Sequence, residues 1–565
     1  MTNIANLLTE HMAIWTAADT EKKSGRGRSN GNAGSVYGVK KQRELILELA
    51  VRGKLVPQDP NDEPASELLK RIQAEKAKLI AEGKLKKEKP LAPIGDDEKP
   101  FELPKGWEWQ RLPETYYSIS PRGNQLKGSE IKEVGTFPVV DQGQQFISGY
   151  TDIADLLIEI PHPIIVFGDH TTNIKLIDFD FVAGADGTKL LAPILIYPRF
   201  YYHYLSSYKL ENRGYARHFK VLNDNLIALP PIAEQDRIVA KVDELMALCD
   251  QLEQQHSNAQ EAHETLVSQL LATLTQSQNA AEFNANWQRI YAHFDALFTT
   301  EASIDALKQT LLQLAVMGKL VPQDPNDEPS SELLKRIQAE KAKLIAEGKL
   351  KKEKPLAPIG EDEKPFELPK GWAWVRLKTI ATKITDGTHY TPKYVGNGVP
   401  FLSVKDMSSG KLDFSSTRFI SELEHGDLFK RCNPEFGDLL LTKVGTTGIP
   451  VIVDTKQPFS IFVSVALIKA LWDFINVQYL KLLISSPIVK KQSAEGTEGI
   501  GNKNLVLRKI EEFVLVLPPL AEQHRIVAKV DALMVLCDQL KTRIKQANLQ
   551  QQAIADALVA QAVNQ

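Results

Sequence analysis

The sequence predicts an α+β protein in which two compact domains of mixed strand and helix hang on one helical frame used twice. Three observations carry that expectation: a long internal repeat, a second repeat at a different offset, and a change of hydrophobic period between the repeats and what they enclose. The first repeat opens with "GKLVPQDPNDEP" at Gly53–Pro64, which returns at Gly318–Pro329. It runs on to "FELPKGW", ending at Trp107 and Trp372, and between Gly53 and Trp107 only Ala65 (Ser330) and Asp96 (Glu361) differ. The second repeat, "LPPIAEQDRIVAKVDELMALCDQL" from Leu229, returns as "LPPLAEQHRIVAKVDALMVLCDQL" from Leu517. The enclosed stretches, 108–228 and 373–516, share no obvious identity. Near-identical frames around unlike inserts imply one scaffold and two separate tasks.

In chain order the segments are a helical frame (1–105), a first insert domain (106–230), a central helical region (231–370), a second insert domain (371–518) and a C-terminal helix (519–565). The early stretch Glu21–Ser35 reads as a flexible loop carrying Arg26 and Arg28. In the first repeat, Leu68, Leu69, Ile72, Leu79 and Ile80 mark one face of an amphipathic helix. Pro64 stands at its first turn, Asp62 and Glu63 supply negative charge to its N-terminus, and Gly83 is its stop. The following "KLKKEKPLAPIG" is an exposed connector. After Pro230-Pro231 and Pro518-Pro519, apolar residues recur at steps of three and four. They run Ile238, Val242, Leu245, Cys249, Leu252 in one copy and Ile526, Val530, Leu533, Cys537, Leu540, Ile544, Ala547 in the other, resuming at Ile554 and Leu558. This is a coiled-coil seam, and two equivalent seams in one chain predict that the helices pair. His256 and His263 continue the first seam as polar members, and Cys249 and Cys537 are small core residues.

The inserts carry short β-branched runs such as "HPIIVFGDH", "LIDFDFVAG", "GDLLLTKVG" and "IPVIVD", broken by Gly, Pro, Asn and Asp. A helix is expected where "VQYLKLLIS" (Val477–Ser485) shows a 3–4 period.

Composition bounds the rest. The chain has 565 residues, 43% hydrophobic and 25% charged, with a formal net charge of −3. No run approaches the roughly 20 apolar residues that cross a bilayer, and the N-terminus lacks a secretory pattern. Three cysteines, Cys249, Cys432 and Cys537, fit a reduced cytoplasmic protein. The first insert has 11 Lys+Arg against 14 Asp+Glu and the second 18 against 14, so neither has a strongly phosphate-binding composition. Catalytic signatures are missing. "GADGTKLL" at Gly184 has the wrong spacing for a phosphate loop, and no CxxC or HExxH metal spacing occurs. Asn433-Pro434-Glu435-Phe436 departs from the Asn-Pro-Pro-aromatic loop of adenine methyltransferases and reads as a surface turn.

Taken together, "LAVRGKLVPQDPNDEPASELL", "LPKGWEW" and "PPIAEQDRIVAKVDEL" resemble the specificity subunit of type I restriction–modification systems. The resemblance covers nearly the whole chain. It implies two target-recognition domains separated by two long helices in an antiparallel coiled coil, each domain reading one half of a split double-stranded DNA site. It also implies two methyltransferase subunits as partners, with restriction subunits docking on that complex. S-adenosylmethionine, ATP and Mg2+ would then sit on those partners, and this chain would hold no cofactor and no metal. Duplication fits this plan physically: two scaffolds in one chain give a pseudo-two-fold body, and two identical partners need two equivalent surfaces. Similar connector lengths suggest a frame that is effectively circular, with the chain ends meeting where the central connector runs in the other half. The alternatives are a stand-alone tandem DNA-binding or coiled-coil scaffold without enzyme partners, or an enzyme whose site lies unrecognised in an insert.

Polar side chains on insert loops are the candidate base readers, since Gln, Asn, Thr, His, Asp, Arg and Lys match base edges and phosphates. In the first insert these are Gln142, Gln144 and Gln145 ("DQGQQ"), Asp169, His170 and Thr171 ("FGDHT"), and Arg213, Arg217 and His218 ("RGYARHFK"). In the second they are Asp386, Thr388, His389 and Tyr390 ("DGTHYTP"), Lys443, Thr446 and Thr447 ("LTKVGTTG"), and Asn502, Lys503 and Asn504 ("GIGNKN").

Overall fold

The computed structural model describes residues 12–17, 36–83, 85, 90–121, 123, 125–184, 187–210, 217–352, 356–499 and 503–564. The Glu21–Ser35 loop with Arg26 and Arg28, and the candidates Arg213 and Asn502, lie outside them. The fold is mixed helix and sheet, in two units: Met1–Gln260 with Gln546–Gln565, and Glu261–Lys545.

In the first unit, α1 (Tyr37–Val51) leads to α2 (Ala65–Ala81). Pro64 is not in the first turn of α2 but just before it, extended at φ −63° and ψ 150°, because its carbonyl already accepts the first helical bond from Glu67. Gly83, at φ +69°, ends the helix region as the left-handed stop. The insert then leaves and rejoins the frame through a two-stranded stem. Strand β1 (Glu108–Arg111) pairs antiparallel with β6 (Leu226–Leu229), Glu108 opposite Leu229. Between them lie β2 (Tyr116–Ile119), β3 (Ile164–Gly168), β4 (Ile174–Ile177) and β5 (Thr188–Pro193), in the antiparallel order β2-β5-β3-β4. Every residue of β3 is buried, which explains why its sequence is continuously apolar rather than alternating. A second sheet, around Phe137–Val140 and Phe181–Gly184, and helix α3 (Pro198–Ser207) complete the domain. Helix α4 (Ile232–Gln276) follows and supplies residues to both units.

The second unit repeats the plan with α5 (Glu301–Val316) and α6 (Ser330–Ala346), and a stem of β7 (Ala373–Arg376) and β12 (Val514–Leu517). Its sheet has β8 (Ala381–Asp386), β9 (Leu439–Thr442), β10 (Pro450–Ile452) and β11 (Val465–Ala470) in the order β8-β11-β9-β10. That is the order of the first sheet. Two inserts without obvious sequence identity therefore share one topology. Helix α7 (Val477–Ser485) is the helix expected from "VQYLKLLIS", and α8 (Leu520–Asn564) closes the chain.

The frames repeat a shared set of bonds. Trp107 Nε1 donates to Glu234 Oε2 (3.0 Å) and Trp372 Nε1 to Glu522 Oε2 (2.9 Å). Gln58 and Gln323 donate to the same carboxylates, and Arg237–Asp62 and Arg525–Asp327 pair at 2.6 Å each. Burial raises the pKa of Glu234 and Glu522 above the ordinary carboxylate value, and the Trp and Gln donors pull against it. The connectors expected to be merely exposed are pinned. Arg111 donates to Ala92 and Pro93 carbonyls and pairs with Glu98, while Arg376 does the same with Ala357, Pro358 and Glu363.

The long-helix seams have more company than each other. In the first unit Leu245, Cys249 and Leu252 of α4 share one core with α1 and with Ala555, Leu558, Val559 and Ala562 near the end of α8. In the second, Leu533, Cys537, Leu540 and Ile544 of α8 share one with α5 and with Val267, Leu271 and Leu274 near the end of α4. The opposed order is that of an antiparallel pair. Beyond Ile544 the apolar stripe changes phase: Ala547 and Ile554 are exposed and Ala555 is buried, because α1 takes the facing position. The circular plan appears in two equivalent bonds. Lys319 donates to the Thr275 carbonyl of α4 (2.9 Å), and Lys54 to the Val563 carbonyl of α8 (3.1 Å).

Candidate nucleic-acid interface

In an antiparallel sheet, the end of one strand and the start of its neighbour share an edge, so loops distant in sequence meet there. In the first insert three of the predicted loops do so. Asp169 follows β3; its N–H donates to the Gly187 carbonyl (2.7 Å), and its carbonyl accepts from His218 N (2.8 Å) and Nδ1 (3.0 Å). Its carboxylate accepts from Phe219 N (2.8 Å) and lies 3.8 Å from Lys189 Nζ. The "DQGQQ" loop is laid against this turn. Gln142 Oε1 accepts from His170 N (3.1 Å), and the Gln142 carbonyl accepts from Thr171 Oγ1 (2.5 Å) and Asn173 Nδ2 (2.9 Å). The contact is close: a Cβ on Gly187, at φ +79°, would stand 2.6 Å from Gln142 Oε1. Thr172 holds φ 60°, a strained conformation for a β-branched residue. Asp169 and His218 are buried and engaged within the domain. Gln144, Gln145, Thr171 and Arg217 are exposed, and His170 is half-buried.

The second insert gathers its three loops around Asp386, at the end of β8 and only 2% exposed. Its carboxylate meets Lys443 Nζ (3.1 Å), Arg431 Nη2 (2.7 Å) and His389 Nε2 (3.1 Å). Lys443 N donates to the Ser464 carbonyl (2.8 Å) and its own carbonyl accepts from Leu505 N (2.7 Å). Gly445 N donates to the Lys503 carbonyl (2.9 Å), and Val444 bridges Asn504, so the "GTTG" and "NKN" loops are stitched together. Lys443 and Thr388 are buried. His389, Tyr390, Thr446 and Lys503 are exposed, and Thr447 and Asn504 are half-buried. Asn504 Oδ1 has no hydrogen-bond partner among the described residues. Thr388, His389, Tyr390, Arg431 and Cys432 line a depression of about 290 Å³.

Sequence reading missed the cations that organise these edges, Lys175, Lys189 and Arg431. Lys175 had a signal: it shares the inward face of β4 with Ile177, where an apolar residue is the rule. Arg431 had none, since it reaches Asp386 from a helix end. A nucleophile's setting is not what surrounds Cys432, whose thiol is buried and pushed up to about 12. Asn433–Phe436 is a surface turn closed by Glu435 N donating to Asp438 (2.8 Å). Among the described residues, no group of three His, Cys, Asp or Glu side chains could hold a metal ion, and no helix is long and apolar enough to cross a membrane.

The chain is similar to several known proteins. Residues 369–549 match the family described as type I restriction modification DNA specificity domain. The type I restriction enzyme EcoEI specificity subunit of Escherichia coli is 40% identical, covering 99% of this chain and 100% of its own length. The EcoAI specificity subunit of Escherichia coli is 39% identical, covering 100% of both. The crystal structure of the HsdS subunit from Thermoanaerobacter tengcongensis aligns with 82% of this chain and 98% of its own at 18% identity, with a TM-score of 0.33.

Proposed function

This chain belongs to the specificity subunits of type I restriction–modification systems, and on that premise we propose that the loop-bearing edge of each insert reads one half of a split double-stranded DNA target. As the specificity component it selects the site and leaves catalysis to other subunits. The observation that supports the proposed edge is convergence: polar loops far apart in sequence meet at the end of equivalent sheets in both inserts.

Exposure divides the candidates. Gln144, Gln145, Thr171 and Arg217 face outward in the first reader, as do His389, Tyr390, Thr446 and Lys503 in the second, and these contact bases and phosphates. Half-buried Gln142, His170, Thr447 and Asn504 contribute from the sides. Buried Asp169, His218, Asp386, Thr388 and Lys443 hold the loops in place. Arg213 and Asn502 lie outside the described residues and stay candidates by their nearness in sequence to Arg217 and Asn504. The readers span 106–230 and 371–518.

The duplicated frames offer equivalent surfaces to two methyltransferase subunits, with restriction subunits docking on that complex. S-adenosylmethionine, ATP and Mg2+ belong to those partners, in the cytoplasm. Leu248 and Leu536, equivalent in the two long helices and 45% and 55% exposed, fit such a surface.

The test is a map of methylated adenines in cells carrying the chain and its methyltransferase partner. Q144A/Q145A should relax one half of the target and H389A/Y390A the other. A variant that changes both halves, or neither, overturns the reading.

A further inference from the structure

The "DQGQQ" loop is held from beneath by one side chain. Lys175, 6% exposed on β4, donates from Nζ to the carbonyls of Asp141 (2.8 Å) and Gln145 (2.5 Å), and lies 3.7 Å from Asp141 Oδ1. A lysine ammonium has three donors, and here they clasp both ends of a five-residue turn. Burial lowers the Lys175 pKa and the Asp141 carboxylate opposes that shift. Inside the turn, Gly143 N donates to Asp141 Oδ1 (2.8 Å), and Gln142 is fixed against His170, Thr171 and Asn173. The turn's backbone is thus bonded at both ends and on one flank. The side chains of Gln144 and Gln145 make no hydrogen bond among the described residues and are exposed.

A carboxamide discriminates a base only if its backbone holds it at a fixed depth and angle, because a loose glutamine finds an acceptor or donor on any base edge. We propose that Lys175 is a positioning residue for DNA recognition, clasping Asp141–Gln145 so that Gln144 and Gln145 meet base edges in one geometry, and so setting how strictly the first reader's half-site is read. This rests on the function proposed above. In the second reader the organising charge is instead the Asp386 anion, so the effect is confined to one half of the target.

The experiment uses the full chain with its methyltransferase partner in cells. K175M removes the donors and keeps the apolar stem; K175Q keeps one amide donor; Q144A/Q145A removes the reading groups. Methylation at sites carrying one mismatch is counted separately for each half. K175M should raise methylation at mismatches in the first reader's half by about tenfold, the scale of one lost base discrimination, with the second half unchanged. K175Q should fall between K175M and the parent, and it carries the test if K175M lowers the yield of folded complex. A merely structural lysine would lower the melting temperature without moving the ratio between halves. Unchanged strictness, or equal loosening of both halves, overturns the role of Lys175. If Q144A/Q145A also changes nothing, the reading of the loop itself fails; if it relaxes the half-site while K175M and K175Q do not, only the clasp fails.

Discussion

The two readers put opposite charges at equivalent points of two equivalent sheets. Asp169 follows β3 and Lys443 follows β9, and the backbone around them is bonded alike. The N–H groups donate to Gly187 and Ser464, and the carbonyls accept from His218 and Leu505. Only the side chains part company. Asp169 turns to the Phe219 N–H and Lys189, whereas Lys443 reaches back to Asp386. The difference teaches that the ladder of backbone bonds fixes where the loops stand. The charge inside them is free to invert if a complement is supplied.

The largest break in this comparison comes from Asp386. D386A leaves Lys443, 6% exposed on its side chain, as a buried cation without its anion, a loss of about 3–5 kcal/mol. The second unit should melt early and its half-site should go unread, while the first half is read as before. Calorimetry beside a methylated-adenine map checks both.

A finer contrast uses two glycines at the same φ of +79°. G187A forces a Cβ onto Gln142 Oε1, whereas at Gly445 a Cβ meets no atom within 4 Å. Backbone strain, about 1 kcal/mol, is common to both, and the steric cost adds to G187A alone. The difference in melting temperature between the variants measures how tightly Gln142 is held.

The frames sharpen the contrast by failing to differ. Glu234 and Glu522 have raised folded-state pKa values, so the folded chain holds their protons more firmly than the unfolded chain does. Each therefore lowers stability as pH rises from the ordinary carboxylate value through the raised one. E234Q and E522Q should each gain on the parent across that window, and by similar amounts, as thermal melts at pH 4.5 and 7 would register. The smallest expected effect is none. A chain with its ends joined and a new break between Gln276 and Ala280, at the junction of two helices, should fold and read the same target. Loss of solubility or of methylation would contradict the circular frame.

Much of this was legible in the letters. The repeats located the frames, short β-branched runs broken by turn residues located the strands, and Val477–Ser485 emerged as the helix its spacing demanded. The loops singled out as polar clusters did converge. Sequence concealed whatever depends on a third partner. The role of α1 and α5 was hidden because an apolar helix does not say which seam it covers, and so the α8 stripe was misphased at Ile554. The common sheet order was hidden because an antiparallel ladder is made of backbone bonds, which unlike apolar sequences supply equally. Buried candidates such as Asp169 and Lys443 looked the same as exposed ones, since a turn's letters do not reveal which way each side chain faces.

The stems have a further consequence. Leu112 N donates to the Asn225 carbonyl (3.1 Å) and Leu377 N to the Phe513 carbonyl (2.9 Å), so each reader begins and ends at a single clasp. The clasped spans differ: 225 − 112 = 113 residues in one and 513 − 377 = 136 in the other. Closing the longer loop costs only about 0.2 kcal/mol more, because closure entropy grows with the logarithm of length. Thermodynamically the frame is a socket almost blind to the size of what is plugged into it. A new reader must present two adjacent antiparallel ends and a helix that packs on the frame, as α3 does in one core with α1 and α4, but its length is otherwise free.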